Sequence, residues 1–295
     1  MKNKIVTVGL VQSAVSTDLK SNLNKTLKMV EKVAQEGAEI ICLQELYKTP
    51  YFPNKKGVNI ESYLETIPGE STLAFKGISL KYKCSIILPI YEKAKNGKLY
   101  NTVVVINEKG EIQPTYRKIH IPHDPSFYEK DYFAEGNNGY QLFKHKNIVY
   151  SVLICFDQWF PEAARMAKLS GAEMIFYPTA IGNILGEDPI EGDWHDAWET
   201  VMRGHAIANS LPVIAVNRTG IEDKSKFWGQ SFVCDAFGKI LKRASSKKDE
   251  TVVATLDLSM NEYISEGWGF LRNRRVDTYK LITNKNIKKK NDRNP

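Results

Sequence analysis

Short apolar runs alternate with stretches of helical periodicity along most of the chain. Ile5-Val6-Thr7-Val8-Gly9-Leu10-Val11 predicts a first strand, and Leu23, Leu27, Val30 and Ala34 then recur at helical spacing up to Gly37. Glu39 to Leu43, with its core Ile40-Ile41-Cys42-Leu43, predicts a second strand and completes a βαβ unit. A helix is expected from Ser71, as its cap, to about Lys83, followed by a strand from Ser85 to Tyr91. Asn96-Gly97 and Lys109-Gly110 separate that strand from Leu99–Ile106 and from a further run starting at Ile112, which predicts an antiparallel meander. The second half has the same style without repeating the sequence. Ile148 to Ile154 reads as a strand, Pro161 opens a helix, and Met174 to Tyr177 is a strand. A long helix from about Asp193 to Asn209, a strand at Val213–Val216, and strands near Ser231 and Val252 follow. Strands that are apolar throughout are covered on both faces, so the fold class is α/β with helices outside buried sheets. A four-layer α-β-β-α sandwich accommodates this many elements.

Composition adds bounds. The chain has 295 residues, 42% hydrophobic and 25% charged, and no linker or repeat interrupts the alternation, so one domain over residues 1–282 is expected. Residues 283–295 form a basic tail, where Lys285, Lys288, Lys289, Lys290 and Arg293 face only Asp292 and supply more than half of the formal charge of +7. A frayed, solvated terminus explains that tail better than a nucleic-acid-binding arm. Cys42, Cys84, Cys155 and Cys234 are far apart and form neither a C-x-x-C pair nor a disulfide framework, which fits a reducing cytoplasm. Lys2 and Lys4 before the first apolar run resemble the start of a signal peptide, but Gln12-Ser13 interrupts the run early. No stretch is long and apolar enough for a membrane span, so no membrane partner is expected.

Chemistry concentrates at strand ends. Cys155 closes the run Ile148–Ile154 and precedes a helix with Pro in its first turn, so the thiol leaves a strand at a corner. A Cys in apolar company is most often a small buried hydrophobe, whereas at a strand-to-helix corner it is also a candidate nucleophile. Glu45 follows the second strand in Leu43-Gln44-Glu45-Leu46, and Lys118 lies in Tyr116-Arg117-Lys118-Ile119-His120-Ile121-Pro122. Each alone also suits a solvated surface. Together, thiol, carboxylate and ammonium are what a thiol amidohydrolase needs as nucleophile, proton shuttle and oxyanion stabiliser.

In these segments, and in Cys155-Phe156-Asp157-Gln158-Trp159-Phe160-Pro161-Glu162, the chain resembles the nitrilase superfamily, or carbon-nitrogen hydrolases, with the closest likeness to the N-carbamoylputrescine amidohydrolases. The resemblance extends to about Ile282 and includes Phe176 to Gly182, Arg203-Gly204-His205-Ala206 and Asn217-Arg218. It implies the α-β-β-α sandwich, homodimers or larger assemblies, a catalytic set of Glu45, Lys118 and Cys155, and a second glutamate at Glu129. It further implies a small carbamoyl amine as substrate, no cofactor, and an oxyanion site made by Lys118 with the backbone N–H of Phe156. His123 and Asn137 stand where the pattern has acids, beside the Glu129 loop.

Metal catalysis is not expected. His195 and His205 are ten residues apart on one predicted helix, about 15 Å of rise, and His120 and His123 lack a carboxylate framework. For the substrate, Asp157-Gln158-Trp159 stands where relatives that bind a carboxylate carry arginines. Gly186-Glu187-Asp188-Pro189-Ile190-Glu191-Gly192-Asp193 supplies acids for a distal ammonium, or is simply a solvated loop before a helix. The expected substrate contacts are Glu187 or Glu191 on the amine, with Trp159 and Tyr47 as apolar walls. The alternatives are another amidase of the same fold, such as a β-ureidopropionase, or a non-catalytic binding protein.

Overall fold

The structure is a computed structural model describing residues 4–284, so the basic segment 285–295 of the expected tail lies outside the described residues. The first half of the chain forms β1 (Ile5–Gln12), α1 (Leu19–Gln35), β2 (Ile40–Leu43), α2 (Glu70–Tyr82), β3 (Ser85–Lys93), β4 (Leu99–Ile106) and β5 (Tyr116–Arg117). The second half begins with β6 (Leu142–His145), β7 (Ile148–Val152), α3 (Pro161–Leu169), β8 (Ile175–Pro178), β9 (Gly182–Ile184) and α4 (Trp194–Asn209). It continues with β10 (Val213–Val216), β11 (Thr219–Glu222), β12 (Ser225–Trp228), β13 (Phe232–Cys234), β14 (Ile240–Arg243), β15 (Glu250–Asp257) and α5 (Ser259–Trp268).

Two six-stranded sheets have the orders β15-β1-β2-β3-β4-β5 and β14-β13-β10-β8-β7-β6. Each has a parallel centre, β1-β2-β3 in one and β10-β8-β7 in the other, flanked by antiparallel strands. Side-chain alternation assigns the layers. In β2, Ile40 and Cys42 join the core between the sheets, while Ile41 and Leu43 pack with Val30 and Val33 of α1 and Phe75 of α2. On the other side, Ala163 and Ala167 of α3 and Trp198 and Met202 of α4 cover the second sheet. This is the four-layer α-β-β-α sandwich.

Gly9 sets the spacing of one outer layer. A Cβ there would stand 2.1 Å from Cγ1 of Val33 and 2.9 Å from Cβ of Ala38, so α1 approaches β1 only because that position has no side chain.

Several elements differ from the sequence reading. Gly69, not Ser71, caps α2, its N–H donating to the Thr72 hydroxyl. Ser71 is buried instead, bonded through its N–H and hydroxyl to Glu65, a pairing across six residues that local pattern does not reveal. The strand expected from Ile112 is a single bridge to Ile106. Asp193 is the N-cap of α4, accepting from His195 N and Asp196 N, so the helix proper starts at Trp194. A small third sheet, β11-β12-β9, was not anticipated.

Replacing Gly9 by Ala should overpack the α1–β1 contact and cost about 1–3 kcal/mol, read as a lower urea midpoint at unchanged m-value. An unchanged midpoint would show that α1 shifts freely.

Candidate active site

β2 leads into the turn that carries Glu45. Gln44 is pinned to Ser13 by two bonds, Ser13 N–H to Oε1 at 2.6 Å and Nε2 to the Ser13 carbonyl at 2.7 Å. Leu46 lies in the left-handed region at φ 49°. The buried Arg218 guanidinium holds that turn by donating to the carbonyls of Glu45, Leu46 and Thr49 at 3.1, 2.7 and 3.1 Å. Its other arm pairs with Glu222, whose second oxygen accepts the Tyr51 N–H at 2.6 Å. One salt-bridged cation therefore closes the segment from Glu45 to Tyr51.

Lys118 follows the edge strand β5. Its N–H donates to the Asn101 carbonyl at 2.9 Å, and its own carbonyl accepts from Gly136 N at 2.8 Å. A Cβ on Gly136 would meet the Arg117 carbonyl oxygen at 2.1 Å, so glycine is needed for this approach. The Lys118 ammonium donates to Glu45 Oε1 at 2.9 Å and to Glu129 Oε2 at 2.6 Å. The Tyr51 hydroxyl donates to Glu129 Oε1 at 2.8 Å, and Asn101 Nδ2 to Glu45 Oε1 at 2.7 Å. All five side chains are buried.

Burial alone would lower the Lys118 pKa, but the Glu129 and Glu45 carboxylates outweigh it and hold the ammonium above its ordinary value. Burial, with the nearby Glu45 charge, holds the Glu129 carboxyl above the ordinary range, against the pull of Lys118.

Cys155 sits three residues past β7, at the start of a 3₁₀ turn Cys155–Trp159 that leads into α3. Its φ of 42° is left-handed, a conformation that costs a non-glycine residue about 1–3 kcal/mol and persists where the surroundings enforce it. Asp157 supplies that enforcement. Its Oδ2 accepts from Ile154 N at 2.8 Å and the Tyr116 hydroxyl at 2.7 Å, and its Oδ1 accepts from His120 N at 3.1 Å and meets His120 Nδ1 at 2.7 Å. His120 also stacks on Phe160 at 3.7 Å. Behind the turn, Gln158 Oε1 accepts from Thr179 and Trp198, and its carbonyl meets His205 Nε2 at 2.8 Å. Burial pushes the Cys155 thiol well up, with Glu45 adding to the effect and Lys118 and the Ala180 N–H opposing it. The sulfur therefore rests as a thiol and needs a base to react.

Cys155 and Glu129 lie in the lining of a cavity of about 660 Å³ whose walls include Tyr51, Phe127, Phe156, Trp159, Trp194 and Trp228. Asp124, Glu187 and Glu191 also line it and are exposed, and among the described residues no Lys, Arg or His lines it.

The structure brings Glu45, Lys118, Glu129 and Cys155 into one electrostatic cluster, and places Phe156, Trp159, Glu187 and Glu191 on the cavity. Tyr47 is the exception. Its ring packs edge-on against Phe75 of α2 at 5.7 Å and its hydroxyl meets Ser71, on the outer face of the first sheet. Within the turn after Glu45 the chain reverses, and Tyr51 takes the wall position instead. Sequence reasoning missed Tyr51, Asn101, Asp124 and the anchoring work of Asp157. It noted Asn217-Arg218 in the resemblance without giving it a role. His195 and His205 serve structurally: His205 bonds to the Gln158 carbonyl, and the His195 ring lies 5.5 and 5.4 Å from Trp198 and Trp228. Among the described residues no cluster of three His, Cys, Asp or Glu could hold a metal ion.

Comparison with known proteins agrees with this fold. The Carbon-nitrogen hydrolase family profile matches residues 7–264. The chain belongs to that family, and is a hydrolase of the nitrilase fold. It is 37% identical to an N-carbamoylputrescine amidase from Solanum lycopersicum, over 95% of this chain and 96% of the relative. It is 36% identical to a citrullinase from Francisella tularensis subsp. tularensis, over 95% of this chain and 99% of the relative. The crystal structure of a carbon-nitrogen hydrolase from Helicobacter pylori G27 superposes with a TM-score of 0.89 at 36% identity, covering 96% of this chain and all of the other.

Lys118→Met should leave two buried carboxylates facing each other without their cation. At neutral pH this should cost roughly 3–5 kcal/mol of stability. Without the pull of Lys118 the Glu129 carboxyl would be held higher than in the wild type, so the folded variant binds more protons than the folded wild type and the deficit shrinks as pH falls. Urea unfolding at about pH 8 and about pH 5 measures this. A deficit that grew on acidification would contradict it.

Proposed function

We propose that this hydrolase is a thiol amidohydrolase that cleaves N-carbamoylputrescine to putrescine, carbon dioxide and ammonia through a covalent Cys155 intermediate. Glu45 takes the proton from the Cys155 thiol through Oε2, which has no hydrogen-bond partner among the described residues. The thiolate attacks the carbamoyl carbon, and the carbonyl electron pair moves onto oxygen. Lys118 has three N–H donors and commits two to Glu45 and Glu129, which leaves one for that oxyanion. The Phe156 N–H lies in the first turn of the 3₁₀ segment, where backbone donors lack partners within the helix, and serves as the second donor. Each such donor is typically worth about 3–4 kcal/mol in the transition state. Collapse expels one nitrogen, which receives the proton from Glu45 and leaves Cys155 carrying a thiocarbamate. Water then gives a proton to Glu45 and attacks the same carbon. The sulfur departs and is reprotonated, and the carbamate released loses carbon dioxide. Glu129, held by Lys118 and Tyr51, orients the cation. No cofactor enters any step.

The observation that carries the substrate choice is the sign of the cavity: Asp124, Glu187 and Glu191 line it and, among the described residues, no cationic side chain does. A distal ammonium is stabilised there by opposite charge and by the faces of Trp159, Trp194 and Trp228. A substrate carboxylate has no cationic partner among the described lining residues. The amidase relatives at 35–37% identity support the same choice. The citrullinase relative favours a second reading, in which citrulline, also a carbamoyl amine but with a carboxylate, is the substrate. The four unpaired cysteines suit a reducing cytoplasm. Exposed Met166, Leu169 and Ile282 suit a homodimer or larger assembly.

Ammonia release from N-carbamoylputrescine, citrulline and N-carbamoyl-β-alanine tests the reading directly. The first should show the highest kcat/KM, and Cys155→Ala should abolish it. A preference for either carboxylate-bearing substrate would overturn the substrate and keep the chemistry. Glu187→Gln combined with Glu191→Gln should raise KM for N-carbamoylputrescine at least about tenfold, or roughly 1.4 kcal/mol, with kcat little changed. An unchanged KM removes those two contacts.

A further inference from the structure

We propose that Asn101 is a positioning residue that fixes which oxygen of Glu45 exchanges protons with Cys155 and substrate. The inference rests on the assignment of Glu45 as the base. Asn101 lies in β4, fully interior, opposite Tyr91 of β3. Its carbonyl accepts the Lys118 N–H at 2.9 Å and its Nδ2 donates to Glu45 Oε1 at 2.7 Å, so one residue joins the backbone of the cation to the side chain of the base.

Glu45 Oε1 thus accepts two donors, Asn101 Nδ2 and Lys118 Nζ at 2.9 Å, while Oε2 accepts none among the described residues. An oxygen already engaged by two donors is the poorer site for a proton. Proton transfer is therefore directed to Oε2. The lysine does not enforce this alone, because its ammonium is shared with Glu129 at 2.6 Å and ends a flexible stem. The terminal torsion of a glutamate is broad and nearly two-fold, so without a second donor the carboxylate can turn and offer both oxygens to Lys118. Oε2 would then be withdrawn from the reaction.

The amide orientation follows from the charge. Turned over, Asn101 would place its carbonyl oxygen against a carboxylate oxygen. As it stands, Oδ1 has no hydrogen-bond partner among the described residues, so the bond to Glu45 is the side chain's one hydrogen bond there.

The test is the pH profile of kcat and kcat/KM for Asn101→Leu on whichever of the three carbamoyl substrates the wild type hydrolyses best. The variant should lose roughly 10- to 100-fold in kcat, the scale of a small misplacement of a catalytic group, with KM within about threefold. Its acid limb should move to higher pH, because a donor that favours the ionised carboxylate is gone. Should the leucine variant fail to fold, Asn101→Asp keeps the shape. It should lose kcat and move the acid limb up further, since two adjacent carboxyl groups hold a proton between them. Wild-type kcat in the folded variant, or a lower kcat with an unmoved acid limb, overturns the inference. Glu45→Gln separates the two levels of the argument: an inactive protein keeps the base assignment whatever Asn101 does, and an active one removes both.

Discussion

One buried ammonium between two carboxylates is the constraint on which the site depends. Lys118 sits in the interior with Glu45 and Glu129 at hydrogen-bond distance, and each of the three would be costly there without the others. If both carboxylates ionise, the trio carries a surplus negative charge, which is why burial and Glu45 hold the Glu129 carboxyl up. The neighbours follow from this need. Tyr51 and Asn101 each donate to the carboxylate on their side, and Arg218 holds the backbone that carries Glu45. The fold supplies the convergence. Glu45 follows the central strand β2, Lys118 the edge strand β5, and Cys155 the second sheet's β7, and the site forms where the two sheets present these ends together.

The proposed nucleophile is organised by a different device. At Cys155 a left-handed backbone and the four-fold anchoring of Asp157 aim the thiol into the cavity lining, while burial keeps it protonated. A neutral thiol is a weak nucleophile until a base acts on it, and Glu45, whose Oε2 has no hydrogen-bond partner among the described residues, suits the proposed base. In the proposed mechanism, strain at Cys155 and charge at Lys118 are therefore complementary: one fixes the direction of attack, the other the position of the groups that move the proton.

The parts legible in the sequence were those with a local signature. β1, β2, β3, β4, β8 and β10 are apolar runs because they are buried on both faces, and their places were read closely. β9, β11 and β12 were not read, since they are short, partly exposed and polar, and pair only with each other. α5 was also missed, although its spacing carries one modest apolar stripe. At the site, Glu45, Lys118 and Cys155 stood out as reactive types at strand ends, whereas Glu129 came from the family resemblance alone. Asn101 is hidden inside the run Leu99–Ile106, where an isolated polar residue gives no sign of what it faces across the sheet. Tyr47 was misplaced because side-chain direction within a turn is set by tertiary contacts, here Phe75 and Ser71, and not by parity along the chain.

The most direct test of the account is to quench wild-type protein with acid during turnover of N-carbamoylputrescine and to map adducts by peptide mass spectrometry. The account predicts a thiocarbamate on the peptide containing Cys155, a carbamoyl group if putrescine leaves first or an aminobutylcarbamoyl group if ammonia does, formed within one turnover and absent after substrate is exhausted. Hydrolysis proceeding with that peptide unmodified, or with the adduct on another residue, would contradict it.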